Sequence, residues 1–499
     1  MFQKPQQSLV PNTADYEQLA LVKATGFREY DARWLYGSEI NLAGVQTIGL
    51  GLGTVLHAHG VRPHIVVGHD YRSYSSAIKY ALTSGLMAAG CHVHDIGMCT
   101  TPMAYFAQFA LDVPAVAMVT ASHNENGWTG IKMGMDRPLT FGPDDMSELK
   151  SIVLEGRWKM RGGGALTLAT NIFERYLQDL TVGKKLGRKL RVAAICGNGT
   201  AGAFAPQVLL AAGCEVVEID CTLDHSFPNY NPNPEDLKML GVMKDAVAKH
   251  KLDAAFGFDG DGDRCGVADN EGHVIYADKI SLMMARDMAA LTPSAKFVVD
   301  VKSTGLFATD PVLAKLGATV DFYKTGHSYI KRRTKELNAV AGFEKSGHFF
   351  FRPPYGHGYD DGLVSALSIC RMLDRAPDKS LADLYRALPL SFTSPTMSPH
   401  CDDEVKYGVI DKLVTEIKEI ARSKTPFEGQ IITDINTVNG VRFSFADGSW
   451  GLIRASSNKP ELVVVCESMS SENHMRAIFR AIKSLMDKHT AIGAFNQTI

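Results

Sequence analysis

The chain has 499 residues, with 52 lysines and arginines against 54 aspartates and glutamates, and a formal net charge of −2. That length exceeds the roughly 250–300 residues at which one hydrophobic core stops growing, which excludes a single domain, and the charge balance excludes the broad basic surface of a nucleic-acid or acidic-membrane binder. Nine scattered cysteines without a Cys-x-x-Cys pair argue against a disulfide framework and a structural zinc site, and fit a reducing compartment.

The N-terminal stretch "MFQKPQQSLVPNTADYEQ" has no apolar signal core, so a cytoplasmic protein with no membrane partner is expected. "FREYDAR" follows, with Arg28, Tyr30 and Arg33 in a basic cluster of open role. The most apolar run, "INLAGVQTIGLGLGTVLHAHGV", is interrupted by Asn, Gln, His and five glycines, and predicts a helix packed on a sheet rather than a membrane span. From "VRPHIVVGHDYRS" onward one arrangement repeats: a β-branched run, a polar or glycine-rich loop, then a helical pattern. It recurs in "CHVHDIG" to "MAYFAQFAL", in "KLRVAAICGNGTAGAFAPQVLLAAGCEVVEID" and in "AKFVVDVKSTGLFATDPVLAKLGATVDFY". Each segment predicts a βαβ unit, hence parallel sheets with helices on both faces. Polar or glycine-rich breaks near 155–170, 269–279 and 391–404 divide the chain into α/β domains at 1–163, 164–278 and 279–394, and a C-terminal piece at 395–499. In that last piece a helix, "KYGVIDKLVTEIKEIARS", precedes strands in "IITDINTVNGVRFSF", "GSWGLIRAS" and "ELVVVCES" and a closing helix, "ENHMRAIFRAIKSLM", which predicts a small α+β domain.

Four stretches carry chemistry. "MVTASHNENGWTGIKMG" turns from an apolar strand to a polar loop with Ser122 beside His123. The Gly-x-Ser-x-Gly elbow of a hydrolase is missing, so Ser122 is a loop serine, an acyl-transfer nucleophile with a distant base, or a phosphoryl carrier. "FGFDGDGDRCGV" places Asp259, Asp261 and Asp263 one glycine apart. Three carboxylates so close repel one another unless a hard cation sits among them, and magnesium is the natural candidate. An EF-hand is excluded because Arg264 and Asn270 occupy the positions where Gly and Glu are required. This loop favours the carrier reading of Ser122.

"FEKSGHFFF" brings Glu344, Ser346 and His348 together, a set suited to sugar hydroxyls and equally compatible with a structural turn. Just upstream, "YKTGHSYIKRR" adds Lys324 and His327, and its "KRR" predicts a solvated helix face. "RASSNKP", from Arg454 to Pro460, is either a phosphate cradle or a plain turn between strands.

Taken together and in order, "FREYDAR", "TASHN", "FDGDGDR", "DVKSTG", "KTGH", "FEKSGH" and "RASSNKP" resemble the α-D-phosphohexomutase superfamily, and most closely its bacterial phosphomannomutase/phosphoglucomutase group. The resemblance runs almost end to end. It implies a four-domain architecture, with three similar α/β domains containing mixed sheets, a C-terminal α+β domain and an active site in a central cleft. It implies an isomerase that interconverts hexose 1-phosphate and hexose 6-phosphate, with mannose favoured and glucose also accepted, through a phosphoserine and a hexose 1,6-bisphosphate. By position, Ser122 would carry the phosphoryl group, and Asp259, Asp261 and Asp263 would hold magnesium together with a phosphoserine oxygen. Lys132, Arg33 and His348 would serve proton transfer and charge stabilisation, with Arg264 as a further catalytic cation. Tyr30, Lys302, Thr325, Gly326, His327, Glu344 and Ser346 would contact the sugar phosphate, and Arg454, Ser456, Ser457 and Asn458 would hold its distal phosphate. The implied partners are small-molecule hexose phosphates, with a monomer or homodimer as the assembly.

The chain departs from the group's usual wording at three places: Ser457 and Asn458 stand where Asn and Thr are common, Phe343 before Glu344 is either an extra residue or a shift of the glycine, and no proline follows Asn124. The intact Glu-x-Ser-Gly-His core fits mannose or glucose phosphates, but phosphoglucosamine mutases resemble it too and are the rival within the family. A catalytically silent sugar-phosphate-binding homologue and a serine hydrolase are the readings from other classes.

Overall fold

A computed structural model describes residues 4–457 and 459–499. The chain divides into two compact units, one running to Ala277 and resuming over Ser346–Asp383, the other formed by Asp278–Lys345 and Leu384–Ile499. No helix among the described residues is long and apolar enough to cross a membrane.

The first unit contains two sheets. The N-terminal one consists of β1 (Ala32–Leu35), β2 (His64–His69), β3 (His92–Met98), β4 (Ala115–Val119), β5 (Trp128–Gly134) and β6 (Ala165–Leu168), in the order β1-β5-β4-β2-β3-β6. The second consists of β7 (Arg191–Ile195), β8 (Glu215–Ile219), β9 (Ala254–Phe258), β10 (Cys265–Asp269) and β11 (Val274–Ile275), in the order β11-β10-β9-β7-β8. Strand β4, "AVAMV", is buried along its whole length, as a central strand covered on both faces must be.

The repeated βαβ pattern predicts parallel sheets, but these two are mixed. β5 runs antiparallel to β4 and β1, and β10 antiparallel to β9. The connections explain it: a parallel crossover needs a dozen or more residues, and only residues 120–127 join β4 to β5 and 259–264 join β9 to β10. Both short connections bear the residues singled out for chemistry.

The run rich in glycine is the helix Leu42–Ala58, and its glycines permit close packing against a second helix, Ser75–Ala88. A Cβ at Gly49 would stand 2.2 Å from the Leu82 carbonyl oxygen, and one at Gly85 2.0 Å from that of Gln46. The resumed segment of this unit contributes β15 (Phe349–Phe351) and the helix Gly362–Arg375, whose N-cap Asp361 accepts from the N–H groups of Leu363 and Val364.

In the second unit β12 (Lys296–Asp300) lies between β13 (Thr319–Tyr323) and β14 (Ala341–Phe343), all parallel. The C-terminal sheet, of β16 (Phe392–Thr393), β17 (Ile432–Asn436), β18 (Val441–Phe445), β19 (Trp450–Ala455) and β20 (Leu462–Ser468), is antiparallel in the order β16-β20-β19-β18-β17. Helices Lys406–Arg422 and Glu472–Met486 pack on it over a core that includes Leu413, Phe443, Ile453 and Ile478.

The "KRR" stretch lies on the helix His327–Glu336, but Lys331 is buried. With His327, Ile330 and Thr334 it occupies the inward stripe of that helix, at the i, i+3, i+4, i+7 spacing of a packed face.

Candidate active site

Ser122 sits in the β4–β5 connection, is 1% exposed, and has φ +52°, a left-handed conformation that a serine adopts only when its surroundings hold it there. Its carbonyl accepts from Arg72 Nη2 at 3.0 Å, and the same nitrogen donates to the Asn124 carbonyl at 2.6 Å. Asp70 pairs with the Arg72 guanidinium and accepts from the Ala121 N–H at 3.3 Å. Arg33 donates to the Ala121 carbonyl at 2.5 Å and is anchored on Asp31. Tyr30 is buried in the turn just before β1.

The aspartates follow β9 and are fully buried. Asp259 Oδ2 accepts from Ser122 Oγ at 3.0 Å. Asp261 Oδ2 accepts from Thr101 at 2.6 Å, Thr120 at 3.1 Å and Lys132 Nζ at 2.8 Å, and Lys132 also pairs with Asp263. One oxygen from each of the three carboxylates lies within 4.8 Å of the others. The intervening glycines are needed for this approach: a Cβ at Gly260 would stand 2.5 Å from the Ser122 carbonyl oxygen, and Gly262 has φ +75°.

His348, just before β15, completes the cluster. Its Nε2 accepts from Arg264 Nε at 2.9 Å, and its Nδ1 lies 2.9 Å from Asp360 Oδ2 and 3.5 Å from Asp263 Oδ1. An acceptor Nε2 assigns the proton to Nδ1, on the carboxylate side.

Burial, reinforced by Asp261 and Asp263, raises the Asp259 carboxyl well above the usual carboxylate range. Burial acts on Asp261 in the same sense, but the Lys132 ammonium overrides it and holds that carboxyl low. Burial also opposes the charge on Lys132, and Asp261 and Asp263 more than restore it. His123 lies 3.3 Å from Ser122 Oγ, and burial, then Arg264 and Arg33, keep its imidazole well below its ordinary value. It is therefore neutral and faces cations, unlike the carboxylate-backed base of a serine hydrolase.

The oxygen-only donor set fits a hard divalent cation. Asp261 Oδ1 is buried without a hydrogen-bond partner among the described residues, which such an ion would satisfy. Asp259, Asp261 and Asp263 stand against Lys132, Arg33 and Arg264, so a phosphoserine of about −2 and a cation of +2 would leave the cluster balanced.

The remaining predicted residues lie in the second unit, apart from Ser346, which begins the resumed segment of the first. Asp300 ends β12 and accepts from Ser303 at 2.6 Å, Thr325 Oγ1 at 3.2 Å and the Lys345 N–H at 3.3 Å, with Lys302 Nζ at 3.8 Å. Glu344 accepts from the Gly326 N–H at 2.9 Å, where φ is +133°, and His327 opens the following helix. Asn439 ties two loops together, accepting from the Thr325 N–H at 3.3 Å and from Arg454 Nε at 2.8 Å. Arg454 reaches Ser457 Oγ at 3.4 Å, and Lys406 Nζ donates to the Ser456 carbonyl at 2.6 Å. Asn458 lies outside the described residues.

Residues 24–160 match the description "Phosphoglucomutase/phosphomannomutase, alpha/beta/alpha domain I", with 173–272 and 276–392 matching domains II and III. A phosphomannomutase/phosphoglucomutase of Pseudomonas putida is 33% identical over 456 residues, covering 90% of this chain and 93% of that protein. The chain belongs to the phosphoglucomutase/phosphomannomutase family. A phosphoglucomutase of Neisseria meningitidis, also similar, is 31% identical over 467 residues, covering 92% and 98%. A solved phosphoglucomutase/phosphomannomutase family structure from Burkholderia thailandensis aligns with a TM-score of 0.83 at 30% identity, covering 94% and 98%. Three α/β domains with mixed sheets and a C-terminal antiparallel sheet are accordingly the architecture of this phosphohexomutase family member.

Six residues that touch the candidate site carry no mark in the motifs read above: Asp70, Arg72, Thr101, Thr120, Asp360 and Asn439. A signal for the first four was available. They follow β2, β3 and β4 directly, at the carboxyl ends of strands where open α/β sheets gather their ligands. Asp360 and Asn439 carry no such signal, because folding alone brings them beside His348 and Arg454.

Proposed function

We propose that this chain is a phosphomannomutase/phosphoglucomutase, an isomerase that moves a phosphoryl group between O1 and O6 of a hexose phosphate, with mannose favoured and glucose accepted. The observation that carries the proposal is Ser122 Oγ, 3.0 Å from Asp259 Oδ2 at the edge of a buried three-carboxylate loop. A serine so placed is suited to carrying a phosphoryl group. In the first half-reaction the Ser122 Oγ–P bond breaks as the bond from phosphorus to the sugar oxygen forms, the sugar hydroxyl gives up its proton and Ser122 Oγ gains one; in the second the bond from phosphorus to the other sugar oxygen breaks as the Ser122 Oγ–P bond re-forms, Ser122 Oγ gives up its proton and the freed sugar oxygen gains one. The hexose 1,6-bisphosphate then reorients and returns its other phosphoryl group to Ser122.

Asp259, Asp261 and Asp263, with Ser122, are the residues that would hold magnesium, which when bound supplies charge neutralisation at the transferring phosphoryl group. The chain's own groups do the positioning. Lys132 stays an ammonium between two carboxylates and neutralises charge rather than accepting a proton, and Arg33 and Arg264 add positive charge. His348, oriented by Asp360, is the imidazole that would take the sugar proton, at an Nε2 that here accepts from Arg264 Nε. We assign Tyr30, Lys302, Thr325, Gly326, His327, Glu344 and Ser346 to sugar-phosphate contacts. Arg454, Ser456, Ser457 and Asn458 are assigned to the non-reacting phosphate, and the domain spans remain 1–163, 164–278, 279–394 and 395–499.

The test combines intact-mass measurement after incubation with glucose 1,6-bisphosphate and parallel assays on mannose 1-phosphate, glucose 1-phosphate and glucosamine 6-phosphate. A phosphate on Ser122 with mannose and glucose turnover is expected. Turnover of glucosamine 6-phosphate alone would overturn the substrate assignment, and failure to acquire a phosphate would overturn the mechanism.

A further inference from the structure

Of the four histidines on the β2–β3 pair, His64, His92 and His94 cluster together and have no role in the site described above. His64 faces His92 across the parallel ladder, with Val66 facing His94. Side chains alternate along a strand, so His92 and His94 share one face, and neighbouring strands lie about 4.8 Å apart, within reach of a ring. The opposite face holds Ile65, Val67 and Val93, which belong to the hydrophobic core. The imidazoles therefore lie on a half-exposed surface, not among the packing residues.

The three rings converge. Centroid separations are 4.5 Å for His92–His94, 4.9 Å for His64–His92 and 5.4 Å for His64–His94, and one ring nitrogen from each lies within 4.8 Å of the others. His64 Nδ1 stands 3.1 Å from His94 Nε2, close to the about 3.3 Å between two nitrogens bound at 2.0–2.1 Å to one tetrahedral zinc. His92 Nε2 lies 2.7 Å from Thr167 Oγ1 on β6. A proton on that nitrogen leaves Nδ1 as the donor, the arrangement by which an outer hydrogen bond orients a metal-binding imidazole. Arg62, the nearby cation, is paired with Asp112 at 3.1 Å.

From this geometry we propose that His64, His92 and His94 form a second metal site, selective for a borderline divalent transition ion of the zinc class and distinct from the aspartate loop. Imidazole nitrogen suits zinc, copper and nickel, whereas magnesium prefers oxygen, so the two sites sort ions by donor chemistry. Binding replaces the His64–His94 hydrogen bond with two coordination bonds, as the proton between them moves to the outer nitrogen of the ring that carries it. The fourth position is left to water or an exogenous ligand.

The probe is Co2+, titrated into the full chain with Mg2+ in excess, because four-coordinate cobalt on imidazoles absorbs visible light intensely and six-coordinate cobalt on oxygens does not. One equivalent is expected to give the intense band in the native chain and in Asp261→Asn, and none in His92→Asn/His94→Asn, which should keep Mg2+-dependent mutase activity as proof of folding. His64→Gln alone should weaken cobalt binding at least about tenfold, and Thr167→Val by about 10–100-fold. No intense band in the native chain, or an unchanged band in the histidine variants, would overturn the site. Unchanged affinity in Thr167→Val would overturn the orienting role of that hydroxyl.

Discussion

Ser122 Oγ donates to Asp259 Oδ2 at 3.0 Å, a bond between residues from two different sheets. It joins the β4–β5 and β9–β10 connections, and the carboxyl it reaches is one that burial and two neighbouring aspartates push well above the usual carboxylate range. A phosphate on Ser122 would stand beside the groups able to hold a cation for it.

Replacing the hydroxyl tests that relationship directly. Ser122→Ala should keep the fold, remain at the unmodified mass after incubation with glucose 1,6-bisphosphate, and lose at least about three orders of magnitude in kcat, as removal of a nucleophile does. Mass spectrometry and a coupled assay read the two effects independently.

Metal dependence should follow the aspartate loop. Chelation by EDTA should abolish turnover and Mg2+ restore it. Asp261→Asn should raise the Mg2+ concentration needed for half-maximal activity and lower the maximum, because it removes one oxygen donor and one of the two carboxylates facing Lys132. Activity against Mg2+ concentration is the measurement.

Arg72 holds the strained serine through two carbonyls. Arg72→Ala leaves Asp70 buried without its cation, and should cost about 3–5 kcal/mol, read as a lower urea midpoint, together with slower phosphorylation of Ser122. Arg72→Lys should rescue little, since a single ammonium cannot reproduce the guanidinium fork.

Glu467, on β20, predicts acid lability of the second unit. Its carboxylate accepts from Lys279 and Thr304 at 2.7 Å each, the Gly305 N–H at 2.7 Å and Trp450 Nε1 at 2.6 Å. Burial opposes its charge, but the Lys279 ammonium, with hydrogen bonds from Ser391 and the Gly305 N–H, holds it well below the usual glutamate range. A carboxyl depressed in the folded state stabilises fully above its unfolded pKa, and that contribution is lost as pH falls through the folded value. Glu467→Gln should therefore cost about 3 kcal/mol at pH 7, and its difference from the native chain should shrink steadily below about pH 4.5. Urea unfolding from pH 7 to 3 checks this.

Gly49→Ala should cost at least about 1–3 kcal/mol, the penalty for overpacking, because its methyl would meet the Leu82 carbonyl in the helix pair. A lower thermal midpoint with unchanged Mg2+ dependence would separate this packing effect from one on the site.

Much of this protein is local in its sequence. Hydrophobic periodicity marked the strands and helices in order, the glycine spacing in "DGDGDR" marked a cation loop, and the C-terminal strands and their flanking helices fell where their patterns placed them, since such preferences depend on near neighbours. Strand direction was not local: β5 and β10 have ordinary strand patterns, and only their short links, 120–127 and 259–264, reverse them against their neighbours. "KRR" misled for the same reason, because composition does not say which stripe of a helix faces inward. The ion pairs of Lys132 with Asp261 and Asp263, the contact of His348 with Asp360, and the grip of Arg72 on Ser122 join residues that are not neighbours in the chain. The linear chain sets which residue types are available and in what order; folding sets which of them meet, because burial and charge pairing act on distances that exist only once the sheets have formed.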